Sequence, residues 1–179
     1  MNEHFEYAVV PKEFQLETPP VWRRIDEVWR CYSVIDQEWV EPERLGQAPP
    51  PATAAFLLPV TDRLAAELMT GRPRKIRYWA VYDHHDWEIE NHRYVRRPGK
   101  SPFNVVRSWY GEQDRQEHTQ LFYRDARWRE GTEKVFLFFN PRDKWPDFLL
   151  EICEEEADEI LLGLFGVADA TRGLDQVQT

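Results

Sequence analysis

The stretch Asp83-His84-His85-Asp86-Trp87-Glu88-Ile89-Glu90-Asn91-His92 holds three of the five histidines of the chain together with four carboxylates. It is the densest grouping of side chains able to ligate a metal or move a proton. Imidazole beside carboxylate suits zinc, manganese or iron, and a histidine next to an acid can shuttle protons. On one continuous strand His84, Asp86, Glu88, Glu90 and His92 would share a face. At about 3.3 Å per residue, however, His84 and His92 would stand roughly 26 Å apart, too far for one ion. A hairpin turning near His84 to Asp86 would fold the two ends together. The spacing matches no named motif such as HExxH. The plainer reading is a solvated polar turn; the alternative is a metal-dependent hydrolase that uses His84, His85, Asp86, Glu88 and His92 with zinc or manganese.

Nucleophilic chemistry has less to work with. The three serines, Ser33, Ser101 and Ser108, have no histidine beside them in sequence, and there is neither a GxSxG elbow nor a glycine-rich phosphate loop. The two cysteines, Cys31 and Cys153, lie far apart with no CxxC, which excludes a cysteine-built zinc site and argues against a disulfide framework. Cys153 falls where a helix N-cap belongs and reads as a structural substitute, although a thiol at a helix start has a lowered pKa in principle. Outside the alternative reading, no cofactor is expected.

The elements that must position these groups follow from a repeated stretch. Residues 56–71, FLLPVTDRLAAELMTG, return at 148–163 as FLLEICEEEADEILLG, with six of sixteen positions identical. Each copy reads as a short strand, a cap and a helix. Thr61 caps a helix over 62–69 closed by Gly71, with Leu64, Ala65, Leu68 and Met69 as its apolar stripe. In the second copy Ala157, Ile160, Leu161, Leu164 and Phe165 form the stripe. Ahead of the first helix, residues 4–10, 21–25 and 27–35 read as strands, the last with Val28, Tyr32 and Val34 on one face. Residues 40–53, with three consecutive prolines, read as a surface connection.

Further landmarks run in the same order in both halves: Ala8-Val9 with Ala80-Val81, Arg23-Arg24 with Arg96-Arg97, and Asp36 and Trp39 with Asp125 and Trp128. The predicted fold class is therefore α+β: two tandem pseudo-repeats, each a small antiparallel sheet of three or four strands followed by one helix. The boundaries are 1–73 for the first sheet and helix, 74–167 for the second, longer one, and 168–179 for a flexible tail.

Positions shared by the two copies serve the common fold, so function is expected where the copies differ. Besides the histidine stretch, the second copy carries extra residues around 104–120, either a hairpin that seals the sheet or a place for binding residues. It also carries FFNPRDKWP at 138–146, a turn with Trp145. Trp87, Arg107, Trp109, Tyr110 and Trp145 are the candidate partner contacts, being of the aromatic and arginine types that anchor interfaces.

The formal charge of −9 argues against nonspecific binding to nucleic acid, which depends on many Lys and Arg contacts. The charge is uneven: residues 71–100 hold eight basic against four acidic side chains, and 141–179 hold three against ten. No apolar run approaches the roughly eighteen residues of a membrane span, and MNEHFEY lacks the features of a signal peptide, so a cytoplasmic protein without membrane association is expected. A small, acidic, aromatic-rich chain without an intact catalytic signature points to a non-enzymatic protein-binding module of the inhibitor or immunity kind. Its partner is another protein, and self-association is a further reading.

Overall fold

The computed structural model describes residues 3–9, 19–46, 58–90, 93–111, 115–130 and 147–172, with the backbone alone for residues 3, 4, 58, 84, 89, 90, 93, 94 and 147. Its strands are β1 (Glu3–His4), β2 (Tyr7–Val9), β3 (Trp22–Ile25), β4 (Val28–Ser33), β5 (Glu38–Val40), β6 (Leu58–Val60), β7 (Ile76–Asp83), β8 (Trp87–Glu90), β9 (Arg93–Arg96), β10 (Asn104–Tyr110), β11 (Glu117–Tyr123), β12 (Arg127–Glu130) and β13 (Asp147–Ile152). Two α-helices accompany them, α1 (Asp62–Met69) and α2 (Glu154–Phe165). The chain divides into unit 1, Met1–Lys75 with His84–Lys100, and unit 2, Ile76–Asp83 with Ser101–Thr179.

In unit 1 five strands run in the order β6-β2-β3-β4-β5, and a separate small sheet runs β1-β9-β8. The turn between β3 and β4 is tight because Asp26 and Glu27 both take positive φ, 49° and 65°, the backbone of a two-residue hairpin loop. Ala8, Trp22 and Cys31 stack across β2, β3 and β4 as a buried row, with Trp29 packed against it. Thr61 caps α1 by accepting the Leu64 N–H at 3.2 Å, and Leu64, Ala65 and Leu68 are its buried side. Just after β1 the Phe5 ring lies 5.1 Å from that of Trp87 on β8, and Val95 on β9 is fully buried.

Unit 2 runs β12-β11-β10-β7-β13. Its inner strands β7, IRYWAVYD, and β10, NVVRSWY, are buried on both faces, which is why neither alternates apolar with polar. Helix α2 carries three acids, Glu154, Glu155 and Glu156, in its first turn, where the helix dipole favours negative charge. Gly166, at φ 71°, ends it. Ala157 and Leu161 are buried and the Phe165 ring lies 5.3 Å from that of Phe122, while Leu164 is exposed, so the apolar stripe is narrower than its spacing implies. In each five-stranded sheet the strand that comes first in the chain is flanked by the next strand of that sheet and by the strand that leads into the helix.

This architecture overturns the α+β expectation. Unit 1 holds five strands in one sheet and three in another, unit 2 holds five strands in a sheet, and the described residues hold only two α-helices, of 8 and 12 residues. The chain is mostly β, not two tandem repeats of a small three- or four-stranded sheet with a helix. Similar segments specify that strands form, but ladder hydrogen bonds join backbones whatever their side chains, so sequence likeness does not limit how many neighbours a strand finds.

Two local expectations also change. Residues 4–10 are not one strand, since β1 pairs with β9 while β2 pairs with β3 and β6. The start of the supposed flexible tail is tied down: Thr171, buried, donates its N–H and its hydroxyl to the Asp158 carboxylate, both at 2.9 Å, and the Trp128 indole donates to the Ala170 carbonyl at 2.7 Å.

Candidate docking groove

An apolar concavity lies in unit 1. Strands β4 and β5 are joined by the turn 34–37, closed where the Ser33 hydroxyl both accepts the Asp36 N–H at 3.1 Å and donates to the Asp36 carboxylate at 2.9 Å. Residues 19–21 run alongside, held by the Tyr32 N–H on the Val21 carbonyl at 2.9 Å. Beyond β5 a 3₁₀ turn, Pro42–Leu45, ends at Gly46. Together with the end of α1 these segments enclose a groove of about 270 Å³ lined by Pro19, Pro20, Val21, Tyr32, Val34, Ile35, Leu45, Leu68 and Gly71, with Ser33 beneath.

The turn places side chains where water would not be expected to keep them. Ile35 is 94% exposed, Val34 44% and Leu45 36%. β4 buries Cys31 and Ser33, so the alternate set that the sequence groups on one face, Val28, Tyr32 and Val34, is the outward one. Tyr32 packs edge-on against Trp39, at 5.2 Å between rings, which steadies one wall. Gly71 forms another: it has φ 70°, and a Cβ there would meet Val34 Cγ1 at 2.5 Å. Glycine is thus required both by conformation and by the close approach of Val34.

The volume is below the roughly 300–1,000 Å³ of pockets that enclose drug-sized ligands. It suits one or two side chains of a partner. Its walls supply hydrophobic contact and almost no polar groups, since the Ser33 hydroxyl is used by Asp36. The charges around it are uneven. Arg44 pairs with Glu38 at 2.7 Å and Asp36 at 3.5 Å, and Arg30 with Glu41 at 2.9 Å. After Gly71, Arg72 and Lys75 are exposed and neither forms an ion pair with a described residue.

The residues singled out from sequence are distributed differently. Trp87 is buried against Phe5 in unit 1. In unit 2 Arg107 is 4% exposed: its Nε and Nη2 donate to Gln120 Oε1 at 3.0 and 2.7 Å, and its guanidinium lies 4.1 Å from the centre of the Trp128 ring and 5.9 Å from that of Trp109. Burial lowers its pKa to about 10, against the opposing pull of Tyr78. Trp109, also buried, stacks on His118 at 5.2 Å, so Arg107 and Trp109 are brought together inside the protein. Tyr110 is exposed, and Trp145 lies outside the described residues.

In the histidine stretch a 3₁₀ turn does form at His84–Asp86, but β8 then pairs with β9, not back on β7. Asp86 meets Lys100 at 3.1 Å and Glu88 meets Arg97 at 3.1 Å, while His85 is exposed. Among the described residues no three-ligand set arises from this stretch. His92 and the side chains of His84 and Glu90 lie outside the description.

Cys153 does sit at the N-cap of α2, its N–H bonded to Glu156 at 2.9 Å. Burial, with the charge of Glu156 adding to it, pushes the thiol up to about 12, so it stays protonated and unreactive at neutral pH. The groove residues Val34, Ile35 and Leu45 escaped sequence reasoning. Their one signal is the apolar pair Val34-Ile35 immediately before the turn residue Asp36, where polar residues are usual. Set against protein-family models, curated proteins and solved structures, the chain has no significant match.

Proposed function

We propose that this chain is a non-enzymatic protein-binding module of the inhibitor or immunity kind, acting in the cytoplasm, and that it docks its partner in the unit 1 groove. The observation that carries the reading is Ile35, an isoleucine almost wholly in water at the lip of an apolar groove flanked by exposed Val34 and Leu45. Side chains of this kind grouped around a concavity, rather than scattered singly, are characteristic of interaction sites. Two free, buried cysteines suit a reducing compartment. The hydrolase alternative gains no such support, because Asp86 and Glu88 are already held by Lys100 and Arg97.

The test compares immobilised wild type with Ile35→Asp in quantitative capture from cell extract. Because Ile35 is exposed, the variant should keep the wild-type circular dichroism and melting temperature. Wild type is expected to retain at least one protein that the variant loses. Identical captured sets would sink the reading.

A further inference from the structure

Resting on the docking reading above, we propose that the occupant of the groove is a partner segment with apolar side chains followed by a run of carboxylates, the apolar part seated on Val34, Ile35 and Leu45 and the acidic part on Arg72 and Lys75. The distribution of uncommitted charge selects this chemistry. On the side of the β4–β5 turn, Asp36 and Glu38 share Arg44, and Glu41 has Arg30, so these carboxylates are already engaged. At the Gly71 side the chain leaves the groove as Arg72-Pro73-Arg74-Lys75, with Arg72 directly after the lining glycine. Arg72 and Lys75 are exposed, and neither is paired with a described residue. Lys75 follows Arg72 by three residues, on the stretch of chain that a ligand leaving the groove past Gly71 would meet.

The net charge of −9 would repel an acidic partner at long range. At physiological ionic strength, however, charges more than about 8 Å away are largely screened, and the nearest cations dominate what a docked segment experiences. Among the described residues, Glu43 in the 3₁₀ turn is a further exposed acid and lies beside Leu45 in sequence. Arg72 and Lys75 thus favour carboxylates on the part of a ligand that leaves the groove past Gly71. An all-apolar occupant would leave two cations unused, and a basic one would meet them directly.

Three fluorescein-labelled synthetic peptides test this by anisotropy: Leu-Phe-Leu-Pro-Glu-Asp-Glu, the same core followed by three lysines, and Ser-Gly-Ser-Pro-Glu-Asp-Glu. Wild type is expected to bind the first about tenfold or more tighter than either of the others, with affinity falling as salt is raised. Arg72→Glu/Lys75→Glu should invert the preference between the first two, and Ile35→Ser should weaken the first about fivefold or more. Failure of wild type to bind the first peptide, equal binding of acidic and basic versions, or indifference to the charge reversal would overturn the proposal. So would light scattering that shows wild type alone associating through Ile35, since the occupant would then be a second copy of this chain. If the acidic peptide fails while Ile35→Asp still loses a captured protein, the segment chemistry is wrong and the docking reading stands. If Ile35→Asp loses nothing, both fall.

Discussion

The guanidinium of Arg77 meets the Glu151 carboxylate through two bonds of 2.7 Å, with Arg77 nearly and Glu151 fully buried. A buried pair of this kind is costly to break from one side, because the survivor remains as an uncompensated charge, whereas replacing both by apolar groups of similar volume is tolerated. Glu151→Ala should therefore destabilise the protein by about 3–5 kcal/mol in urea unfolding, and Arg77→Met/Glu151→Leu by much less. A single-variant loss close to that of the double would remove the argument. Glu117, on β11 two strands from the Arg77 strand, behaves differently. Burial raises its pKa above the ordinary 4.5, while the Ser108 hydroxyl and the charge of Arg77 oppose the rise. An acid whose folded pKa exceeds its unfolded value binds more protons when folded, so its contribution grows as pH falls from neutral through the folded pKa toward 4.5. Glu117→Gln should raise the urea midpoint at pH 7 and flatten its change between pH 7 and about pH 5 relative to wild type. Parallel profiles for the two proteins would show that Glu117 does not titrate in this window.

Among the elements, the β3–β4 hairpin is the one least well served by its sequence. Its loop residues Asp26 and Glu27 both occupy the left-handed region, where asparagine and glycine are at home and an ordinary side chain costs about 1–2 kcal/mol. Glu27 recovers part of this by pairing with Arg24, but at 81% exposure of the carboxylate side chain that pair contributes little. Asp26→Asn/Glu27→Gly is expected to raise the melting temperature, with a gain of about 1 kcal/mol, and to leave the register Ile25↔Val28 unchanged by amide hydrogen exchange. A lower melting temperature would mean that the Arg24 pair outweighs the backbone strain. The same hairpin supplies β4, whose outward face ends in Val34 and the groove, so an increase in its stability should leave peptide affinity intact.

At the scale of the molecule, the segment after α2 shows how a stretch without periodicity can still be structural. Thr171 and Ala170 join the end of the chain to α2 through Asp158 and to β12 through Trp128, and Thr171 is buried. Truncation after Val167 leaves the Trp128 indole N–H and the Asp158 carboxylate without these partners. Three lost hydrogen bonds, two of them to a charged group, predict a loss of about 3–7 kcal/mol by thermal or urea unfolding. An unchanged melting temperature would restore the view of this segment as a loose tail. Among the described residues no helix is long and apolar enough to cross a membrane.

What the sequence determined by itself is local. The bounds of α1 at Asp62 and Met69, its Thr61 cap and its buried Leu64, Ala65 and Leu68 all follow from residues within one short window. So do the turns at Asp36 and Asp125, each followed by the tryptophan that packs over its hairpin, Trp39 on Tyr32 and Trp128 on Phe122. Only the tertiary structure decided the rest. The double burial of β7 and β10, which placed Arg107 and Trp109 inside, depends on what covers each face of a strand; their lack of alternation is compatible with it but does not tell a doubly covered strand from a buried helical segment. Strand pairing is made by backbone groups common to every residue, so the five-strand sheet of each unit was not legible from the repeated stretch. The groove is the sharpest case: Pro19, Val34, Leu45 and Gly71 are distant in sequence, and Ile35 acquires its meaning only because folding leaves it in water beside them.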